Sequence, residues 1–277
     1  MTALRDLLDG REVAVPGYGW RTHGPGVAVI ALLLAVYVAG FHLLDISFAR
    51  FIPGLNRLGD IVGLMLPPTP ETFSRFLVYL DALGQTLAIA FLGTITAAVL
   101  AFPLGFLAAR NVVTSRIVHF LARRGLDTVR SVDTLVWALI WINVVGLGPF
   151  AGALAIASAD LCALAKLMSE AIETADRRPV EGVMAAGGSR AAAIRFGILP
   201  QVLPVFASQI LYYIESNTRS ATIIGIVGAG GIGLYLSEQI RVLEWQQVSF
   251  LILMVLATVA GIDAISRVLR GALLGRR

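Results

Sequence analysis

The chain has 277 residues, of which 57% are apolar and only 14% charged, with a formal net charge of +4. Soluble domains carry about 25% charged residues, and here residues 82–109 and 134–159 hold no formal charge at all. That excludes a domain that folds in water. The runs also lack the period-2 alternation of barrel strands, which leaves a bundle of membrane-crossing α-helices, each needing about 20 apolar residues.

Taken in chain order, the pattern predicts six spans. The first 25 residues are polar, and the apolar run 27–44 has no small-residue cleavage site after it, so it reads as an uncleaved anchor helix. Residues 46–81 form a polar segment with Arg50, Arg57, Asp60, Glu71 and Arg75, broken by Pro67, Pro68 and Pro70. The second span is 85–108, with a kink expected at Pro103. A basic connection with Arg110, Arg116, Arg123, Arg124 and Arg130 follows.

The uncharged run after Asp133 reads as one long helix or as two joined at Gly146-Leu147-Gly148-Pro149. The basic connections 110–130 and 177–195 both belong on the cytoplasmic side, which requires an even number of crossings between them. The third and fourth spans are therefore placed at 131–145 and 150–167, with turn residues at the break. The fifth is 201–214 and the sixth 248–262, before a tail with Arg267, Arg270, Arg276 and Arg277. With the N-terminus inside, cytoplasmic segments hold 16 basic residues and extracytoplasmic segments 5. This bias orients both termini towards the cytoplasm, and arginines gathered in short connections speak against a nucleic-acid face.

Residues 220–237 are uncharged but interrupted by Gly225, Gly228, Gly230, Gly231 and Gly233. A seventh span there would put the C-terminal arginines outside, so the segment reads as a re-entrant or broken helix lining the interior. Gly228, Gly230 and Gly233 match the dinucleotide fingerprint literally. No βαβ pattern surrounds them, and Glu244 and Asp263 stand at poor offsets, so close helix packing is the better account. Lys166 is the only lysine and has no glycine-rich phosphate loop before it, which rules out a P-loop ATPase in this chain. Cys162 is the only cysteine, and His23, His42 and His119 are scattered, so neither a disulfide nor a metal cluster is expected.

The polar segment 176–200 carries the most information. Pro179 opens a short helix with Glu181 in its first turn, Gly187 and Gly188 break it, and a second helix leads to Leu199-Pro200. This is either a helix–turn–helix that docks on a cytoplasmic partner or an ordinary amphipathic loop. The spacing of Glu181, Gly187 and Leu199-Pro200 resembles the cytoplasmic coupling loop of ABC importer permeases. Gly182-Val183 stands where that family has two alanines, and Gly197 where it usually has isoleucine. Both departures resemble the phosphonate-importer branch, as do Gly146–Gly152, Glu215–Thr222 and Gly225–Gly233. The likeness covers about residues 86–270.

The resemblance implies a type I ABC importer permease: an all-α integral membrane protein with a five-helix core in 82–270 and one N-terminal helix in 26–45. Around these would lie a cytoplasmic segment 1–25, an extracytoplasmic segment 46–81 and a tail 271–277. It implies a coupling site at Glu181, Gly182, Gly187, Gly188, Leu199 and Pro200, seated in a separate ABC ATPase dimer that holds ATP and magnesium. This chain itself would bind no cofactor and perform no catalysis. The other implied partners are an extracytoplasmic substrate-binding protein, membrane lipid and a second permease, either a copy or a paralogue. The setting is the bacterial inner membrane, and phosphonate, phosphite and hypophosphite all fit as substrates.

A substrate pathway is expected along Glu215, Asn217, Arg219, Thr222, Gly228, Gly230 and Gly231. Arg219 has the guanidinium fork that suits phosphoryl oxygens, although it stands one helical turn from Glu215 and could instead pair with it. An ion-coupled carrier working without an ATPase is the alternative reading. It needs ionisable residues deep in the spans, and Asp160 and Lys166 are the candidates. A membrane oxidoreductase subunit would need paired histidines for haem, which the chain lacks.

Overall fold

The computed structural model describes residues 20–44, 48–113 and 115–274, and every regular element among them is helical. The chain divides into two compact units, Met1–Asp60 and Ile61–Arg277. Helix α1 is Trp20–Leu43, and α2, Phe48–Leu64, crosses the division. The second unit continues with α3 (Phe73–Ala108), α4 (Arg116–Arg130), α5 (Thr134–Val145), α6 (Pro149–Thr174) and α7 (Arg177–Ala185). It closes with α8 (Arg190–Ala229), α9 (Ile232–Arg241) and α10 (Trp245–Leu274).

Among the described residues, five helices are long and apolar enough to cross a membrane: α1, α3, α6, α8 and α10. The third expected span, 131–145, is not one helix. Only Thr134–Val145 is helical, and 12 residues reach about 18 Å at 1.5 Å each, short of the hydrocarbon core. It follows α4 at a bend of 86°, and the two together make a sixth crossing if the bent pair counts as one. Asp133 caps α5 by accepting from Leu135 N at 2.8 Å, which starts a new helix at the bend.

Three further boundaries differ from the sequence reading. The polar stretch after α1 contains the amphipathic helix α2, with Phe51, Leu55, Leu58 and Val62 spaced along one face and Arg57 and Asp60 on the other. Helix α3 begins at Phe73, well before the expected span at 85; its charged start is held by Arg75, which pairs with Glu71 at 2.7 Å and donates to Gln247 at 2.8 Å. The fifth span does not stop at Ile214, since α8 stays α-helical from Leu199 to Ile224. Glu215 does not end the helix because Arg270 of α10 neutralises it at 2.8 Å.

The core of the second unit lies where α3 packs on α6. Gly93, Ala97, Ala101 and Gly105 of α3 recur every fourth residue and are all buried. A Cβ at Gly93 would stand 2.8 Å from that of Ile156, and one at Gly105 2.5 Å from Met168 Cγ. Small residues at this spacing let two backbones approach closely in a membrane, where dispersion and not water exclusion drives helix pairing.

Candidate functional site

The coupling segment forms the helix–turn–helix that the spacing predicts. Asp176 caps α7 by accepting from Arg178 N at 3.0 Å. The helix ends where Gly187 N donates to Met184 O at 3.0 Å and Gly188 N to Val183 O at 2.9 Å. Gly187 adopts φ +83, the left-handed conformation that lets the chain reverse. Ser189 then caps the start of α8 through Ala192 N at 3.3 Å. Glu181 and Gly182 are exposed, and Glu181 makes no hydrogen bond or ion pair with another described residue.

Two details bind α7 to the bundle. A Cβ at Gly197 would lie 2.9 Å from Val180 Cγ2 and 3.0 Å from Val180 N, so the departure from isoleucine is what lets α7 press on α8. Gln201 clasps the start of α7 in both directions: its Oε1 accepts from Asp176 N at 3.0 Å and its Nε2 donates to Asp176 O at 3.1 Å. Leu199 and Pro200 do not begin a separate helix. A π-turn at Ile194–Ile198, closed by Leu199 N donating to Ile194 O, carries α8 through the proline, which has no N–H to place.

The glycine-rich stretch is a broken helix buried among the spans. After Ile224 the chain makes a π-turn, Gly225–Ala229, then breaks at Gly230 and Gly231 before α9 starts at Ile232. Gly228 O accepts from Gly148 N at 3.0 Å, which ties the break to the α5–α6 turn. Gly230 has φ +81, and a Cβ there would stand 2.7 Å from Pro149 N. Thr86 of α3 caps α9, its Oγ1 accepting from Ile232 N at 2.8 Å, and touches Gly231 so closely that no side chain fits. Helix, not strand, precedes these glycines, so they form no dinucleotide loop.

The expected pathway residues do not form one group. Asn217 is buried and donates from Nδ2 to Thr94 Oγ1 of α3 at 2.8 Å and to Asp160 Oδ2 of α6. Thr222 is buried and turned back on its own helix, donating to Thr218 O at 3.2 Å. Glu215 pairs with Arg270 and not with Arg219. Arg219 is exposed and makes no hydrogen bond or ion pair with another described residue. Of the seven, it alone presents a charged group unengaged at the surface of the second unit.

Several partners escaped the sequence reading. Thr94 and Arg270 carry no signal of their own, because a buried threonine and a terminal arginine are commonplace. Asp160 and Lys166 did stand out as lone ionisable residues in an apolar helix. Lys166 donates to Asp127 of α4, and Arg123 of the same helix reaches Glu173 at 3.1 Å, so the basic connection is a helix laced to the α7 end of α6.

Residues 101–276 match the family described as the binding-protein-dependent transport system inner membrane component. The chain belongs to this family. The permease is 37% identical over 265 residues to the phosphite transport system permease protein PtxC of Stutzerimonas stutzeri, covering 94% of each chain. It is 34% identical over 242 residues to the phosphate-import permease protein PhnE of Mycolicibacterium smegmatis, covering 87% of this chain and 45% of that one. Its fold is similar to a solved inward-facing structure of the MetNI methionine ABC transporter, with a TM-score of 0.64 at 16% identity, over 73% of this permease and 99% of that chain. That likeness shows the fold alone: a multi-pass bundle of membrane helices.

Proposed function

We propose that this permease serves an ATP-driven importer of phosphonates or related reduced-phosphorus oxyanions. The reading rests on the likeness to PtxC along 94% of the chain. Substrate would pass by alternating access from a binding protein on one face to the cytoplasm on the other, with no covalent chemistry in this chain. The exposed α7, with Glu181 unengaged and Gly187 turning the chain, is the part that would seat in an ATPase dimer holding ATP and magnesium. The pathway would run where a second permease, a copy or a paralogue, meets this one.

Both termini would lie in the cytoplasm, as the arginine bias favours, and residues 82–270 would do the transport. Arg219 supports an anionic substrate. A guanidinium facing lipid from within a span costs at least ~2.5 kcal/mol, so an exposed, unpaired one belongs beside water, substrate or a partner chain. The test is uptake of labelled phosphite, methylphosphonate and phosphate by the complex reconstituted in vesicles. Arg219→Ala is expected to lower uptake roughly tenfold at unchanged protein level and ATPase stimulation. Undiminished uptake removes Arg219 from the pathway, and uptake that needs no ATPase overturns the importer reading altogether.

A further inference from the structure

Arg110 and Val113 after α3, with Arg116, His119 and Phe120 of α4, line an open cavity of about 500 Å³. A neighbouring cavity of about 380 Å³ shares Arg110 and Val113 and is lined on its other side by Val180 and Met184 of α7. Three features of the first cavity favour an anion. The guanidinium groups of Arg110 and Arg116 form no ion pair with another described residue. Nε2 of His119 is buried without a hydrogen-bond partner. Beyond Ser115, whose Oγ accepts from Val118 N at 3.5 Å, the N-terminus of the 15-residue helix α4 adds its outward N–H groups and the positive end of its dipole.

Two carboxylates, Glu173 and Glu170, stand nearby. Glu173 Oε1 is 3.9 Å from His119 Nε2, yet it is already engaged by Arg110 N at 3.0 Å and Arg123 Nη1 at 3.1 Å. Arg123 is shared between Glu173 and Glu170, the latter 3.9 Å away, and Arg110 also acts on Glu173, so Arg110, Arg116 and Arg123 outnumber the two carboxylates and leave the cavity net positive.

We propose that this cavity binds a phosphate group, held by Arg110 and Arg116 with His119 and the α4 N-terminus completing the cradle. A planar guanidinium matches two phosphoryl oxygens at once, and two of them suit a dianion. The proposal rests on this geometry and not on the identity of the transported substrate. Because Arg110 also borders the cavity under α7, an occupant there bears on the seat of the coupling helix. The group could be a free phosphate ion or the head of an anionic lipid, and both present the same oxygens.

The experiment uses the full chain with its partner subunits, purified in detergent and in phosphatidylglycerol nanodiscs. Inorganic phosphate is titrated by calorimetry, and native mass spectrometry counts phosphatidylglycerol retained after delipidation. In the variant Arg110→Gln/Arg116→Gln, whichever of the two binds the wild type is expected to bind about a hundredfold more weakly, roughly tenfold for each charge-assisted contact. The variant Arg110→Lys/Arg116→Lys keeps the charge but loses the planar fork and is expected to bind more weakly than wild type and more tightly than the Gln pair, which also shows that the fold is intact. Arg195→Gln, at an exposed arginine that lines neither cavity, should change nothing. Saturable phosphate binding identifies a free ion, and lipid retention without it identifies a headgroup. The proposal fails if the wild type binds neither, if Arg195→Gln weakens binding as much as the Gln pair, or if the Gln pair binds as tightly as wild type.

Discussion

Asn217 links three helices through two hydrogen bonds, one to Thr94 and one to Asp160. Polar groups inside a membrane bundle are costly unless paired, while each bond between spans adds only about 1 kcal/mol. Asn217→Leu is therefore expected to lower stability by about 1–2 kcal/mol, read as an earlier unfolding midpoint in detergent. Asp160→Asn keeps an acceptor for the Asn217 amide and should cost less than Asp160→Ala; equal losses would mean that the bond contributes nothing. The glycines divide in the same way. Gly230→Ala must place a Cβ against Pro149 at a left-handed φ and is expected to destabilise by about 2–4 kcal/mol. Gly182 has open space around it on an exposed helix, so Gly182→Ala should raise stability by up to about 1 kcal/mol, read as a later unfolding midpoint, through helix propensity alone. A loss at Gly182 equal to that at Gly230 would refute this account of both.

At the scale of elements, the coupling helix α7 is held by one close approach and one clasp. The chain is short of bulk at Gly197 so that Val180 can sit on it, and Gln201 secures the cap residue Asp176. Gly197→Ile, which restores the residue more usual in the family, should push α7 off α8. The expected result is a loss of about 1–3 kcal/mol in stability and weaker co-purification of the ATPase subunit. Normal ATPase recovery with this variant would show that the packing of α7 on α8 does not set its docking pose. Helix α4 adds charge to packing: besides buried Leu126, the pairs of Lys166 with Asp127 and Arg123 with Glu173 fasten it to α6. Its apolar and charged residues alternate at helical spacing, so the helix itself was legible in 116–130. The density of arginines concealed it, because such density also marks a plain connection between spans.

The whole second unit is built around small residues, with the stripe of Gly93, Ala97, Ala101 and Gly105 bringing α3 against α6. Five long helices, and the bent pair if it counts as one crossing, give the same parity that the basic segments require, even though the expected span 131–145 holds a helix too short to cross alone. Orientation is open to direct measurement. In a Cys162→Ala background, a cysteine at Gly182 is expected to react with an impermeant thiol reagent only from the cytoplasmic side, and one at Glu244 only from the opposite side. Labelling of both from one side would reverse or dismantle the topology.

The sequence by itself determined that this chain lives in the bilayer, that Gly187 and Gly188 interrupt the polar segment 176–200, and that the chain carries no P-loop. These follow from composition, charge distribution and local turn chemistry, which act over a few neighbouring residues. The tertiary structure decided which polar groups meet. Glu215 takes Arg270, 55 residues away, over Arg219 one turn along, and Asn217 turns inwards to Asp160. It also decided that α8 runs on past Ile214 and that α5 is too short to cross alone. The reason is physical. Helix registers are set by which small residues allow two backbones to touch, and that choice depends on every packed neighbour at once.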